Sequence, residues 1–234
     1  QKLKVMNNKV IVALDFSNLN KAIKIVKKLE KEAFAFKIGH EFFYNFGIEG
    51  YKKIYKICPR IFLDLKLHDI PNTVERGLAA IFKLKPIFTT IHINGGDEMQ
   101  KASVLKKNKK TKILGVTILT SLNKQQTSKY YKEKRITTLV KNFAKYAKRN
   151  KLHGLVCSPL EIKIVRKEVG KEMVLVVPGI RLENKTFTKE DDQKRVLTPK
   201  QAIKLGADYL VIGRPITESR KPLATLKKIN QSIQ

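Results

Sequence analysis

The chain is short of acid. Only 20 Asp and Glu stand against 49 Lys and Arg, a formal net charge of +29 at pH 7, which favours an anionic substrate or partner. Cysteine is almost missing as well. Cys58 and Cys157 lie far apart in different predicted elements without metal-ligand spacing, which argues against a disulfide framework or zinc site and for a reducing compartment. No stretch approaches the roughly 20 apolar residues that span a bilayer, so no membrane association is expected. The opening Gln-Lys-Leu-Lys-Val-Met-Asn-Asn is basic, but the apolar stretch after it is broken at Asp15 and offers no small-residue cleavage site. A cytoplasmic location is the expectation. Linkers, composition breaks and short-period repeats are also missing, so residues 1–234 are expected to form one domain.

The excess of lysine is not gathered into an arm or a motif. Lys21, Lys24, Lys27, Lys28 and Lys31, then Lys141, Lys145, Lys148 and Arg149, are spread over separate predicted helices. No zinc knuckle or aromatic-basic stacking signature accompanies them, so no specific nucleic-acid binding is expected. A dispersed excess of Lys, Ile and Asn also follows from an AT-rich coding bias, which carries no function.

What the chain has in quantity is short apolar runs that alternate with helical patterns. Strand candidates are Val10 to Phe16, Ala35 to Gly39, Ile61 to Leu67, Phe88 to Ile93, Lys112 to Leu119, Gly154 to Cys157, Met173 to Val177 and Tyr209 to Ile212. Helical spacing begins with Ala22, Ile25, Val26 and Leu29 and recurs near residues 41–56, 71–84, 97–107, 134–150, 159–168, 199–205 and 216–231. Continuous apolar strands alternating with helices predict a parallel sheet covered on both faces, and eight such units predict an α/β fold of the (β/α)8 TIM-barrel type. An open doubly wound sheet is the fallback. The polar stretch Arg181 to Leu197 after the seventh strand reads as a lid loop.

The third strand candidate carries charges where an ordinary buried strand would not. Ile-Phe-Leu-Asp-Leu-Lys-Leu-His-Asp at 61–69 puts Asp64, Lys66 and His68 on one face and Leu63, Leu65 and Leu67 on the other. Asp69 has the opposite parity and, in a loop, can point where the others cannot reach, such as a neighbouring subunit. Buried ions cost several kcal/mol each unless paired, so the pattern points to chemistry; a wet amphipathic strand is the bland alternative.

In barrels of this kind the active site gathers where strands end. Asp15, Lys37, Asp64 and Lys66, His92, Thr120 and Ser121, Pro178 to Arg181, and Gly213 with Arg214 all occupy such positions. Gly213-Arg214-Pro215 is the phosphate candidate, because glycine permits close approach of the backbone and the following helix offers free N–H groups. Gly95-Gly96 is a weaker version of the same pattern.

Seven segments in order carry a resemblance: A-L-D-F at 13–16, F-K-I-G at 36–39, D-L-K-L-H-D-I-P-N-T at 64–73, G-V-T-I-L-T-S at 115–121, P-G-I-R at 178–181, D-Q at 192–193 and V-I-G-R-P-I-T at 211–217. Through them the chain resembles the orotidine 5'-phosphate decarboxylase family over almost its whole length. The resemblance implies a cofactor-free decarboxylation of orotidine 5'-monophosphate to uridine 5'-monophosphate, with Lys66 as proton donor and no metal. It also implies an alternating array of Lys37, Asp64, Lys66 and Asp69, in a homodimer with shared active sites. Asp69, Ile70 and Thr73 would reach the partner's site. Asp15 and Lys37 would hold ribose hydroxyls, Thr120 and Ser121 would meet the base, Arg181, Gln193, Gly213 and Arg214 would hold the phosphate end, and Pro178 would also contact the substrate. One departure is H-I-N-G-G at 92–96, where a small residue would follow the histidine. Rival readings are a sugar-phosphate decarboxylase or aldolase using Mg2+ and a basic barrel that binds nucleic acid.

Overall fold

Alternation within each apolar run decides which side chains meet inside the molecule. In the computed structural model, which describes residues 7–105, 110–131, 133, 135–180 and 197–234, the runs become eight parallel strands. These are β1 (Val10–Ala13), β2 (Ala35–Ile38), β3 (Ile61–Leu67), β4 (Phe88–His92), β5 (Lys112–Val116), β6 (Gly154–Val156), β7 (Val174–Val177) and β8 (Tyr209–Ile212). Each pairs with the next, and β8 pairs back with β1 through Ile11 opposite Val211, which closes the barrel.

Ile11, Ala35, Phe62, Leu114, Val176 and Val211 form a cluster inside the barrel, while Val12, Phe36, Ile38, Leu63, Leu155 and Ile212 belong to a second cluster with the helices. Two dry layers follow from one period-two pattern. At the N-terminal end the interior is closed by rings. Phe34 stacks on Tyr209 at 4.1 Å, Tyr209 lies 5.6 Å from Phe88, and Phe88 meets Phe62 edge-on at 5.9 Å.

The helices bury one stripe each. In α1 (Leu19–Leu29) the buried residues are Ala22, Val26 and Leu29, and Asn18 caps the helix by accepting the Lys21 N–H. The others are α2 (His40–Ile57), α3 (Pro71–Leu84), α4 (Gly96–Leu105), α5 (Lys124–Tyr130), α6 (Ile136–Arg149), α7 (Ile162–Val169), α8 (Pro199–Lys204), α9 (Arg214–Thr217) and α10 (Pro222–Ser232). No helix among the described residues is long and apolar enough to cross a membrane.

Three expectations are corrected. β1 stops at Ala13 and β5 at Val116, so Asp15, Thr120 and Ser121 sit in loops beyond the strands. The final helix is two: α9 ends at Thr217 and Pro222, with its fixed φ, opens α10. A helix not expected at all, α5, follows Asn123, whose side chain and that of Gln126 form a reciprocal capping box. The expected lid, apart from Leu197, lies outside the described residues. Its last residue pairs with Ile180 in an isolated parallel bridge.

Candidate active site

At the C-terminal mouth the inward positions turn from apolar to charged. The Leu14 N–H donates to the Lys37 carbonyl at 2.9 Å, which seats the exit of β1 beside β2. Asp15 thereby lies next to Lys37, with Oδ1 3.2 Å from Nζ. Gly39 leaves room for this contact, since a Cβ there would sit 2.9 Å from Lys37 Nζ. On the other side Lys37 Nζ lies 4.0 Å from Asp64 Oδ2, and Lys66 Nζ lies 2.9 Å from the same oxygen. The result is a row of alternating sign: Asp15, Lys37, Asp64, Lys66.

Asp64 is buried, and burial by itself would raise its pKa. The charges of Lys37 and Lys66, with hydrogen bonds from Lys66 and Thr90, outweigh burial and hold the carboxyl below its ordinary value. It is therefore ionised at neutral pH. Asp64 Oδ1 accepts from Thr90 Oγ1 at 2.9 Å, so both carboxylate oxygens have partners. Lys66 has φ of +48°, a conformation that costs a non-glycine residue about 1–3 kcal/mol and clusters at functional sites. The row offers an ammonium whose carboxylate neighbour stays charged, which suits it to stabilising and then protonating an anion.

The row borders a cavity of about 310 Å³ whose lining also includes Thr120, Pro178, Gly213 and Arg214. Asp15, Lys37, Asp64 and Lys66 all reach it. Val116, Ile118, Val156 and Val211 make the rest of the lining largely apolar. Asp69, Ile70, Thr73 and Ser121 are exposed and are not among the residues that line it. Asp69 Oδ1 instead accepts the Ile70 N–H at 2.7 Å. Arg181 and Gln193 lie outside the described residues.

Thr90 was not singled out from the sequence, whereas His92 was expected at a strand end. Thr90 sits under Asp64, and its inward parity with Phe88 was the signal available in the sequence. His92 approaches His68 with ring centroids 5.4 Å apart, and its pKa is lowered by burial and by the charges of His68 and Lys66. The turn after it, Ile93–Gly95, buries Ile93 and places Asn94 Nδ2 at 3.5 Å from the Tyr131 hydroxyl.

The chain is similar to known proteins over nearly its whole length. Residues 8–229 match the model of the Orotidine 5'-phosphate decarboxylase / HUMPS family. A protein of Wolbachia pipientis subsp. Culex pipiens named orotidine 5'-phosphate decarboxylase is 44% identical over 227 residues, covering 97% of this chain and 99% of the relative. One of the same name from Dictyoglomus thermophilum is 40% identical, covering 96% of this chain and 95% of the relative. The crystal structure of orotidine 5'-phosphate decarboxylase from Lactobacillus acidophilus superposes with a TM-score of 0.82 at 36% identity, covering 97% of this chain and 99% of that one.

Proposed function

We propose, from the premise that this chain belongs to the orotidine 5'-phosphate decarboxylase / HUMPS family, that it converts orotidine 5'-monophosphate to uridine 5'-monophosphate and carbon dioxide in pyrimidine synthesis. The observation that carries this reading is the Asp15, Lys37, Asp64, Lys66 row at the cavity wall.

The chemical problem is an electron pair with nowhere to go. When the bond from C6 of the pyrimidine to its carboxylate breaks, the pair stays in an sp² orbital that the ring's π system cannot delocalise. An ammonium fixed beside C6 helps more as charge moves from the departing carboxylate onto carbon, so it lowers the barrier and not merely the energy of the bound substrate. Lys66 then gives up a proton as the C6–H bond forms, and its neutral amine regains one from water. Asp64 holds the ammonium in place and sets a negative charge toward the substrate's carboxylate. Because Lys66 supplies both field and proton, the reading calls for no cofactor.

Asp15 and Lys37 are assigned to the ribose hydroxyls and Thr120 with Ser121 to the base. Gly213 and Arg214, joined by Arg181 and Gln193, are assigned to the phosphate end, and Pro178 to the substrate wall. The exposure of Asp69, Ile70 and Thr73 supports the second half of the proposal, a homodimer in which each chain completes the other's site. A cytoplasmic location belongs to the same reading and is supported by two buried, free cysteines, Cys58 and Cys157.

The direct test adds orotidine 5'-monophosphate to purified protein in the presence of a metal chelator and follows the loss of orotate absorbance. Full turnover in chelator is expected. Turnover that vanishes with the metal would move the protein to the Mg2+-dependent sugar-phosphate side of its family, and no turnover under any condition would reject the reading.

A further inference from the structure

Between Leu63 and Leu67 the pairing of β3 with β4 slips. Leu63 stands opposite Thr89 and Leu67 opposite Ile91, so β3 carries extra residues that β4 does not match. Lys66 takes up part of that slack with its positive φ, and its N–H has left the regular ladder. A buried N–H without a partner costs about 1–3 kcal/mol. Here it is met by a side chain: the Lys66 N–H donates to Thr90 Oγ1 at 2.9 Å. The same hydroxyl donates its single proton to Asp64 Oδ1, also at 2.9 Å, and Thr90 is fully buried.

One hydroxyl therefore joins the backbone of the lysine to the carboxylate that faces its ammonium. With Oδ1 occupied from below, Asp64 turns Oδ2 toward Lys66 Nζ and Lys37 Nζ. The neighbouring residue supplies an internal contrast. Thr89 is just as buried, faces the helical layer by parity, and its hydroxyl has no hydrogen-bond partner among the described residues. Two threonines in one strand suit β-structure equally well, yet only the one under the charged row is bonded, and it is bonded twice.

We propose that Thr90 is a positioning residue for the decarboxylation, fixing the left-handed turn at Lys66 and aiming Asp64 between the two ammonium groups while touching no substrate. The inference rests on the assignment of Lys66 as proton donor made above. Thr90 is not among the residues that line the cavity, so its loss acts on the geometry of the row and leaves the substrate's binding contacts in place.

The test compares Thr90→Ser, which keeps the hydroxyl, with Thr90→Val, which keeps the shape, using Thr89→Val as the packing control. Two readouts are taken: steady-state kinetics on orotidine 5'-monophosphate, and the titration of the Asp64 carboxyl followed by carbon-13 NMR in the protein without substrate. In Thr90→Val, kcat is expected to fall about tenfold or more with KM changed less than about twofold, because a preorganised group acting on the transition state is disturbed. The Asp64 midpoint is expected to rise by about one pH unit on losing a donor to its charged form. Thr90→Ser should restore both, and Thr89→Val should alter neither. Wild-type kcat and an unmoved Asp64 titration in Thr90→Val overturn the proposal. If that variant does not fold, Thr90→Ala is read in the same way, and failure of both to fold beside a folded Thr89→Val would assign the hydroxyl to the fold alone and likewise overturn it. Absence of turnover in the unmutated protein would defeat the proposed function, whereas the titration still decides whether Thr90 governs Asp64.

Discussion

The two ends of the barrel interior are built on the same strands with the same alternation, and they do opposite things. At the N-terminal end Phe34, Phe62, Phe88 and Tyr209 pack ring against ring. At the C-terminal end the inward positions of β2 and β3 carry Lys37 and Asp64, which follow Phe34 by three residues and Phe62 by two. Phe62 and Asp64 are next neighbours on the same face of β3. Burial stabilises the first through apolar area, about 1.5–3 kcal/mol for a large side chain, whereas it costs the second several kcal/mol that only its partners offset. A charged layer can be held at one end because an apolar layer at the other makes the barrel closed and dry.

Substitutions at the two ends should therefore separate turnover from stability. The largest effect is expected at the mouth. Lys66→Ala should lower kcat by about a thousandfold or more, the combined scale of a lost proton donor and a lost electrostatic stabiliser, while uridine 5'-monophosphate still binds in calorimetry. Substantial residual turnover would remove Lys66 from its role. At the closed end Phe88→Ala should cost about 3–5 kcal/mol of stability in urea unfolding, as large-to-small core changes do, with kcat per folded molecule unchanged. A normal midpoint with impaired turnover would invert the comparison.

A smaller effect is expected at the proposed phosphate end. Arg214→Ala should lower kcat/KM by roughly tenfold to a hundredfold, the value of one charge-assisted hydrogen bond. The same variant should discriminate less between orotidine 5'-monophosphate and phosphate-free orotidine. Equal losses on both substrates would detach Arg214 from the phosphate.

The smallest effect lies in the acid dependence of stability. The Asp64 carboxyl is held below its ordinary value of 3.8, so its ionised form stabilises the fold fully above that pH, and the contribution is lost as pH falls through the lower folded value. Urea midpoints measured on acidification should fall less steeply for Asp64→Asn than for the unmutated chain. The substituted protein should start less stable at neutral pH, since two ammonium groups lose their carboxylate. Identical acid slopes would mean that Asp64 is not tied into the row.

Much of this was legible in the sequence because it follows from parity. Alternation placed Lys37 and Asp64 inward together with Ile11, Ala35 and Phe62, and the repeated strand-then-helix pattern fixed the barrel. What escaped parity was local geometry. The positive φ at Lys66 and the slipped register beside it leave no mark in a run of alternating leucines, yet they set where the lysine's N–H goes. Thr90 was readable as inward but not as bonded, since its partner is a backbone group freed by that irregularity. Other misses had signals in plain view. Asn123 and Gln126 spell a capping box before α5, and Pro222 marks the start of α10. Parity alone turned Asp69 away from Asp64 and Lys66, and within this chain it is exposed and accepts the Ile70 N–H.

The account stands on Lys66 delivering a proton to C6 of the pyrimidine. A crystal structure with uridine 5'-monophosphate bound measures this most directly. Lys66 Nζ is expected within hydrogen-bonding reach of C6, with Asp64 still at its other side and the phosphate beside Gly213 and Arg214. An ammonium turned away from C6, with another donor in its place, would contradict the account.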